Sequence, residues 1–224
     1  NLYQFPYQRR GTMLLSELEF GSYLTYSPRG NSDLAKRSRN WMIRLKSESS
    51  IDNPPKFMSQ LVADSIKGSI DKMPFKHFFS SNVSLVPVPK SSLMQPNTLW
   101  ISEKIAKALA RQEFGDFYPC LKRVKPLRKA AYSNPRPKAI DHYNTIECQP
   151  LVHRPKEIVL VDDIITRGST LLGCASRLRE IFSDIPIRAF AVMRTMSDPN
   201  EFTKIEYPCV GKITLSNSDT FRKP

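Results

Sequence analysis

No apolar run in this 224-residue chain approaches the length of a membrane span, and its start shows no signal-peptide core. A membrane partner is therefore not expected. The four cysteines, Cys120, Cys148, Cys174 and Cys209, are scattered without a C-x-x-C pair. That spacing argues against a zinc ribbon and suits a reducing cytoplasm. His77, His142 and His153 show no metal-ligand spacing either. A P-loop is missing too: Gly168 and Gly173 have the right separation, but Cys174 stands where the motif needs lysine. Nor is there a G-x-G-x-x-G, so the dinucleotide-binding fingerprint is absent. The sequence contains no internal repeat and no low-complexity segment.

What remains is ordinary in composition and unusual in charge. Hydrophobic residues at 40% and charged residues at 25% describe a soluble globular chain, most simply one domain with decorations. The formal net charge of +13 fits a polyanionic ligand, a nucleic-acid partner, or solubility alone. Part of it is local. Between Asp116 and Asp141 lie Lys122, Arg123, Lys125, Arg128, Lys129, Arg136 and Lys138, with no acidic residue among them. Pro126, Pro135 and Pro137 oppose regular structure there, so the segment reads as a basic loop.

Periodicity outlines the remaining elements. A short strand is expected at Gly21–Tyr26, and helices at Asp33–Lys46 and Phe57–Ile70. These early elements read as an N-terminal extension or hood, residues 1–82, packed on a core of residues 83–224. In that core, Ser84–Pro89 reads as a buried strand and Thr98–Phe114 as an amphipathic helix. Further strands are expected at Phe117–Val124, Tyr143–Cys148, Ile158–Val161, Ile187–Met193 and Gly211–Leu215, with a helix at Leu171–Phe182. Alternating strands and helices predict an α/β fold, a mainly parallel twisted sheet flanked by helices.

The most informative stretch is Glu157-Ile-Val-Leu-Val-Asp-Asp-Ile-Ile-Thr-Arg-Gly-Ser-Thr170. Asp162 and Asp163 follow a β-branched apolar run, at the strand end where open α/β sheets place their ligands. Thr166, Arg167, Gly168, Ser169 and Thr170 then lead into a helix. Unpaired N–H groups and the helix dipole at such a start favour a phosphate. Two carboxylates beside a phosphate cradle imply a ligand with both hydroxyls and phosphate, as in a ribose 5-phosphate.

Val159–Thr170 resembles the phosphoribosyl-pyrophosphate (PRPP) motif of type I phosphoribosyltransferases. Val86-Pro-Val-Pro-Lys-Ser-Ser92 resembles the pyrophosphate loop of that family, in the form seen in its ComF-like, competence-associated branch. The resemblance covers roughly residues 83–195 in motif order, without the zinc ribbon common in that branch. It implies that Asp162 and Asp163 bind the ribose hydroxyls and that Thr166–Thr170 wrap the 5-phosphate. It further implies that Lys90, Ser91 and Ser92 take the diphosphate. Lys129, Arg136 and Lys138 would belong to a flexible loop covering it. Mg²⁺ would be held mainly by PRPP, without dedicated protein ligands.

The implied activity is transfer of the phosphoribosyl group to an unidentified acceptor with release of pyrophosphate. Two alternatives stay open: a PRPP-sensing subunit of a nucleic-acid-containing assembly, and a PRPP-consuming hydrolase. The arginine-rich segment Arg29, Lys36, Arg37, Arg39, Arg44 and Lys46 motivates the first. A homodimer or a larger complex is compatible with either.

Overall fold

Near-continuous β-branched and aromatic runs supply the centre of the protein. The computed structural model describes residues 15–51, 53–127, 136–149 and 154–224. Its elements run β1 (Glu17–Tyr26), α1 (Asp33–Lys46), β2 (Ser50–Ile51), β3 (Lys56–Phe57), α2 (Met58–Ser69), β4 (Val83–Pro87), α3 (Ile101–Arg111), β5 (Asp116–Phe117) and β6 (Leu121–Arg123). There follow α4 (Ala139–Asn144), β7 (Ile146–Cys148), β8 (Glu157–Ile165), α5 (Ser169–Ile181), β9 (Ile187–Thr195), β10 (Glu206–Ser216) and β11 (Asp219–Lys223). Seven strands form the main sheet in the order β11-β10-β1-β9-β8-β4-β5. The five from β1 to β5 in that order are parallel, and the β10–β11 hairpin adds antiparallel strands at one edge. The expected α/β class is correct in this coarse sense: a large, mostly parallel sheet flanked by helices.

Alternation along each strand sends side chains to two separate cores. Ile158, Leu160, Ala189 and Ala191 pack with Leu171, Leu172, Ala175 and Leu178 of α5 on one face. Val159, Val161, Phe190 and Val192 pack on the other against Leu45 of α1, Val62 and Ile66 of α2, and Ile105 and Leu109 of α3. Burial on both faces is what makes parallel strands read as unbroken apolar runs. No described helix is long and apolar enough to cross a membrane.

Several boundaries differ from expectation, each for a local reason. The strand predicted at Gly21–Tyr26 begins at Glu17 and lies inside the sheet, between β9 and β10. Residues 1–82 are therefore not wholly an extension: β1 is part of the central sheet, and only the helices behind it pack as a cover. The predicted strand Phe117–Val124 is two strands in different sheets, separated at Tyr118–Cys120 around Pro119, whose ring removes a ladder donor. Tyr143 and Asn144 belong to α4, so only Ile146–Cys148 forms the expected return strand. The helix predicted from Thr98 to Phe114 starts at Ile101 and ends at Arg111, where Glu113 and Gly115 take positive φ.

Helices α4 and α5 meet at Gly173. A Cβ there would lie 2.6 Å from the Ala139 carbonyl oxygen and 2.7 Å from the His142 Cβ. Gly173→Ala should therefore push α4 outward and cost about 1–3 kcal/mol of stability, the usual cost of overpacking. A urea titration checks this, and an unchanged midpoint would contradict it.

Candidate functional site

Connectivity singles out one place on the sheet. Strand β4 leads through α3 to β5 on one side, while β8 leads through α5 to β9 on the other. The two helices cover opposite faces, so the strand order reverses between β4 and β8. A crevice opens beyond the carboxyl ends of strands at such a point, and ligands of α/β proteins bind there. The Val88–Ser92 loop leaves one of these strands and the Asp162–Thr170 segment the other.

Strand β8 does not stop before the acidic pair, as the sequence suggests, but runs on to Ile165. Its pairing with β9 explains this: Asp162 lies opposite Ala191, Ile164 opposite Met193 and Ile165 opposite Arg194. Both carboxylates are thus held on regular backbone. Asp162 Oδ1 accepts from the Ser102 hydroxyl at 3.0 Å and from the Asp163 N–H at 2.9 Å. Burial, then the neighbouring Asp163 charge, raises the Asp162 carboxyl to about 8. Asp163 is 8% exposed and forms an ion pair with Lys46 of α1, Nζ to Oδ2 2.8 Å. Burial opposes the Lys46 charge, but Asp163 outweighs it and holds the ammonium pKa above its ordinary value.

Lys46 is a site residue that the sequence left among the N-terminal basic residues. The pairing joins positions 117 apart in the chain, and no local pattern signals a contact of that separation. Arg39 is committed as well, donating to the Ser27 and Gly30 carbonyls at 3.1 and 2.7 Å.

After Ile165 the chain turns through Thr166–Gly168 into α5. Gly168 is the N-cap, in the left-handed region at φ 88°, and makes no side-chain cap. The first intrahelical bond runs from the Leu172 N–H to the Gly168 carbonyl at 2.9 Å. The preceding N–H groups at the helix start are the ones a helix leaves without an internal partner. Arg222 of β11 braces the loop from behind, donating from Nε to the Thr166 carbonyl at 2.9 Å and from Nη2 to the Thr195 carbonyl at 2.6 Å. Since a peptide unit is planar and trans, tying the Thr166 carbonyl back turns the Arg167 N–H the opposite way.

The hydroxyls are also placed. Thr166 Oγ1 lies 3.0 Å from Thr195 Oγ1, Ser169 Oγ 2.6 Å from Thr220 Oγ1, and Thr170 Oγ1 3.4 Å from His142 Nε2. Arg167 turns to Asp219 of β11, Nη1 to Oδ2 3.0 Å. The C-terminal hairpin, unremarkable as sequence, thus backs the loop through Asp219, Thr220 and Arg222.

A cavity of about 420 Å³ opens above this loop. Asp162, Thr166, Arg167, Gly168, Ser169 and Thr170 line it together with Arg136 from the basic segment. Tyr26, Pro28 and Arg29 at and beyond the end of β1, and Thr195 and Ser197 at and beyond the end of β9, form further wall. The other sequence candidates stand elsewhere. Asp163 faces Lys46, and Lys90, Ser91 and Ser92 are outside the lining. Lys138 donates to Ser218 Oγ at 2.9 Å, in the β10–β11 turn, instead of entering the cavity. Lys129 lies outside the described residues. Cys174 is fully buried in α5, and burial pushes its thiol up to about 12, so it acts as a small core side chain.

Among the described residues, no group of three or more His, Cys, Asp or Glu side chains could hold a metal ion. The chain matches no known family model, and no curated protein matches it. What the fold and site define is a mixed α/β protein with a hydroxyl-rich loop at a helix start and an acidic pair at its strand-order reversal.

Proposed function

We propose that this protein binds PRPP and transfers its phosphoribosyl group to an acceptor, releasing pyrophosphate, on a type I phosphoribosyltransferase fold. One observation carries the reading. The Gly168 helix start, with its hydroxyl-rich loop, and the Asp162 carboxylate line one cavity at the point where strand order reverses. The loop suits a 5-phosphate, and the carboxylate suits the ribose hydroxyls beside it. Lys90 to Ser92, at the end of the adjacent strand, are the nearest candidates for the diphosphate.

Breaking the bond at the anomeric carbon leaves positive charge on the sugar and negative charge on the pyrophosphate. Residues that hold the donor still and meet the developing negative charge accelerate that step. Asp162 and the Thr166–Thr170 loop position the ribose, Asp163 pairs with Lys46, and Arg136 adds positive charge at the cavity wall. Asp162, on the cavity wall, would be the protein's share in holding Mg²⁺ carried mainly by the donor, an ion that uses few carboxylates and keeps its waters. Bound there, the ion would neutralise diphosphate oxygens.

The reading has a pH signature. The folded protein keeps on Asp162 a proton that the unfolded chain releases above pH 3.8, so stability falls as pH rises from 3.8 to about 8. Donor hydroxyls and a nearby cation favour the ionised carboxylate. Binding should therefore release a proton, and affinity for Mg²⁺-PRPP should rise from pH 6 to pH 9 about the Asp162 value of about 8. Calorimetry in buffers of different ionisation enthalpy measures the proton release. Affinity that declines over this range would contradict the assignment.

The acceptor is found by incubating the protein with PRPP and Mg²⁺ in cell extract and identifying phosphoribosylated products by mass spectrometry. Ribose 5-phosphate accumulating without any product would favour the hydrolase. A binder that consumes no PRPP would favour the sensor. A steep salt dependence of filter-retained nucleic acid would give that sensor its partner.

A further inference from the structure

Arg123 is a buried cation that the proposed chemistry has not used. It is 1% exposed, and its partners among the described residues are a carbonyl, a hydroxyl and an imidazole, none of them a carboxylate. Its guanidinium spans three groups: Nε donates to the Lys90 carbonyl at 2.5 Å, Nη1 to Thr145 Oγ1 at 2.6 Å, and Nη2 meets His142 Nδ1 at 3.3 Å. The other nitrogen of His142 meets Thr170 Oγ1 at 3.4 Å. The chain of contacts therefore runs from the loop after β4 to the first turn of α5. Gly173 permits it, because only a residue without Cβ lets α4 bring His142 this close.

Chemistry gives each link a direction. Arginine only donates, so His142 Nδ1 must accept and Nε2 must carry the imidazole proton. Burial, followed by the Arg123 charge, lowers the His142 pKa to about 3, so the ring is neutral near pH 7. Nε2–H then donates to Thr170 Oγ1, which leaves the Thr170 hydroxyl proton free to point into the cavity. At the other end, holding the Lys90 carbonyl turns the Ser91 N–H the opposite way, since the two share one planar trans peptide.

We infer that Arg123 and His142 are positioning residues that join the Lys90–Ser91 loop to the Ser169–Thr170 loop, so that the two phosphate groups of one donor are recognised by a single linked unit. The inference rests on the PRPP reading and adds to it a buried charge serving both ends of the donor. A neighbouring cation in a poorly solvated interior acts on anions more strongly than one in water. Arg123 thus favours anions at either loop without touching them.

Two fragments of the donor separate the ends: inorganic pyrophosphate and ribose 5-phosphate, each titrated by calorimetry. His142→Leu removes the donor to Thr170 and should weaken ribose 5-phosphate about tenfold, the worth of about one hydrogen bond, while pyrophosphate changes less than about twofold. His142→Gln, whose amide can still donate to Thr170, should restore most of the loss. Arg123→Lys keeps the charge but loses the fork and should weaken both fragments. A general loss of folded protein would instead affect both fragments equally in the His142 variants and lower their melting temperature.

A probe in the unmodified protein covers the case in which Arg123→Lys does not fold. In ¹⁵N NMR, pyrophosphate bound at the Lys90 loop should shift the His142 ring nitrogens. The inference is overturned if wild-type protein binds both fragments while His142→Leu binds like wild type, or if pyrophosphate leaves the His142 nitrogens unmoved. If wild-type protein binds neither fragment, the PRPP reading itself falls, and the linked unit with it.

Discussion

Replacing Asp162 and Asp163 together with asparagine is expected to weaken PRPP binding by about a hundredfold to ten-thousandfold while leaving the protein folded. Hydrogen bonds to a charged partner contribute about 1.5–3 kcal/mol each, and two of them convert to that range. The fold should survive for reasons visible at the site. An asparagine at 162 still offers an oxygen to Ser102 and to the backbone N–H of residue 163. Lys46, released from Asp163, has a side chain 51% exposed and can be solvated. Asp162 keeps its proton up to about pH 8 in the folded protein, so asparagine at 162 leaves the buried charge near pH 7 unchanged. Fluorescence or calorimetric titration beside a thermal melt separates the two effects. A folded double variant that binds PRPP like wild type would sink the assignment of the acidic pair.

Gly168→Ala should be the most damaging single exchange in the Thr166–Thr170 loop. The residue has φ 88°, and an added Cβ would lie 2.7 Å from both Cγ1 and Cδ1 of Ile213. Left-handed backbone costs a residue with a Cβ about 1–2 kcal/mol, and overpacking adds about 1–3 kcal/mol. Together the loss is about 2–5 kcal/mol, with displaced N–H groups at the anion site as a second consequence. Adding Ile213→Ala should recover the steric part but not the backbone part. The double-mutant cycle should therefore show coupling between Gly168 and Ile213. Additive effects would mean that the close approach is not what constrains this glycine.

The acid side carries a smaller effect of opposite sign to that of Asp162. His142 has a folded-state pKa of about 3 against 6.5 when unfolded, so the unfolded chain binds the extra proton between those values. Stability should decline as pH falls from 6.5 towards 3, and His142→Gln should flatten part of that decline. Denaturant titrations at pH 4 and pH 7 measure the difference, and equal slopes in the two proteins would contradict it.

How much was legible depended on whether the signal was local. Helix α1 was readable to the residue because its signal is local, apolar and basic residues alternating from Asp33 to Lys46; the structure adds the Ser32 cap. The strand, turn and helix from Glu157 to Thr170 were readable because apolar run, acids, small residues and helix follow one another within fourteen positions of the chain. The place of β1 was not readable. Its partners, β9 and β10, lie more than 150 residues away, as in the pairing of Phe20 with Ala189, and parallel pairing leaves no hairpin signature. Lys46, Arg123 and Arg222 were hidden for the same reason: each is placed by tertiary packing. Their sequence surroundings describe only a basic helix, a basic loop and a terminal strand. The Lys138 contact with Ser218 was hidden by the same limitation, since a charge run shows sign and position but not the direction of each side chain.

Calorimetric titration of the unmodified protein with PRPP and Mg²⁺ tests the central claim most directly. A saturable one-to-one isotherm should appear, with proton release near neutral pH, competition by ribose 5-phosphate, and its loss in the Asp162→Asn, Asp163→Asn variant. Absence of any binding heat at millimolar PRPP, at several temperatures and with the protein shown to be folded, would contradict it.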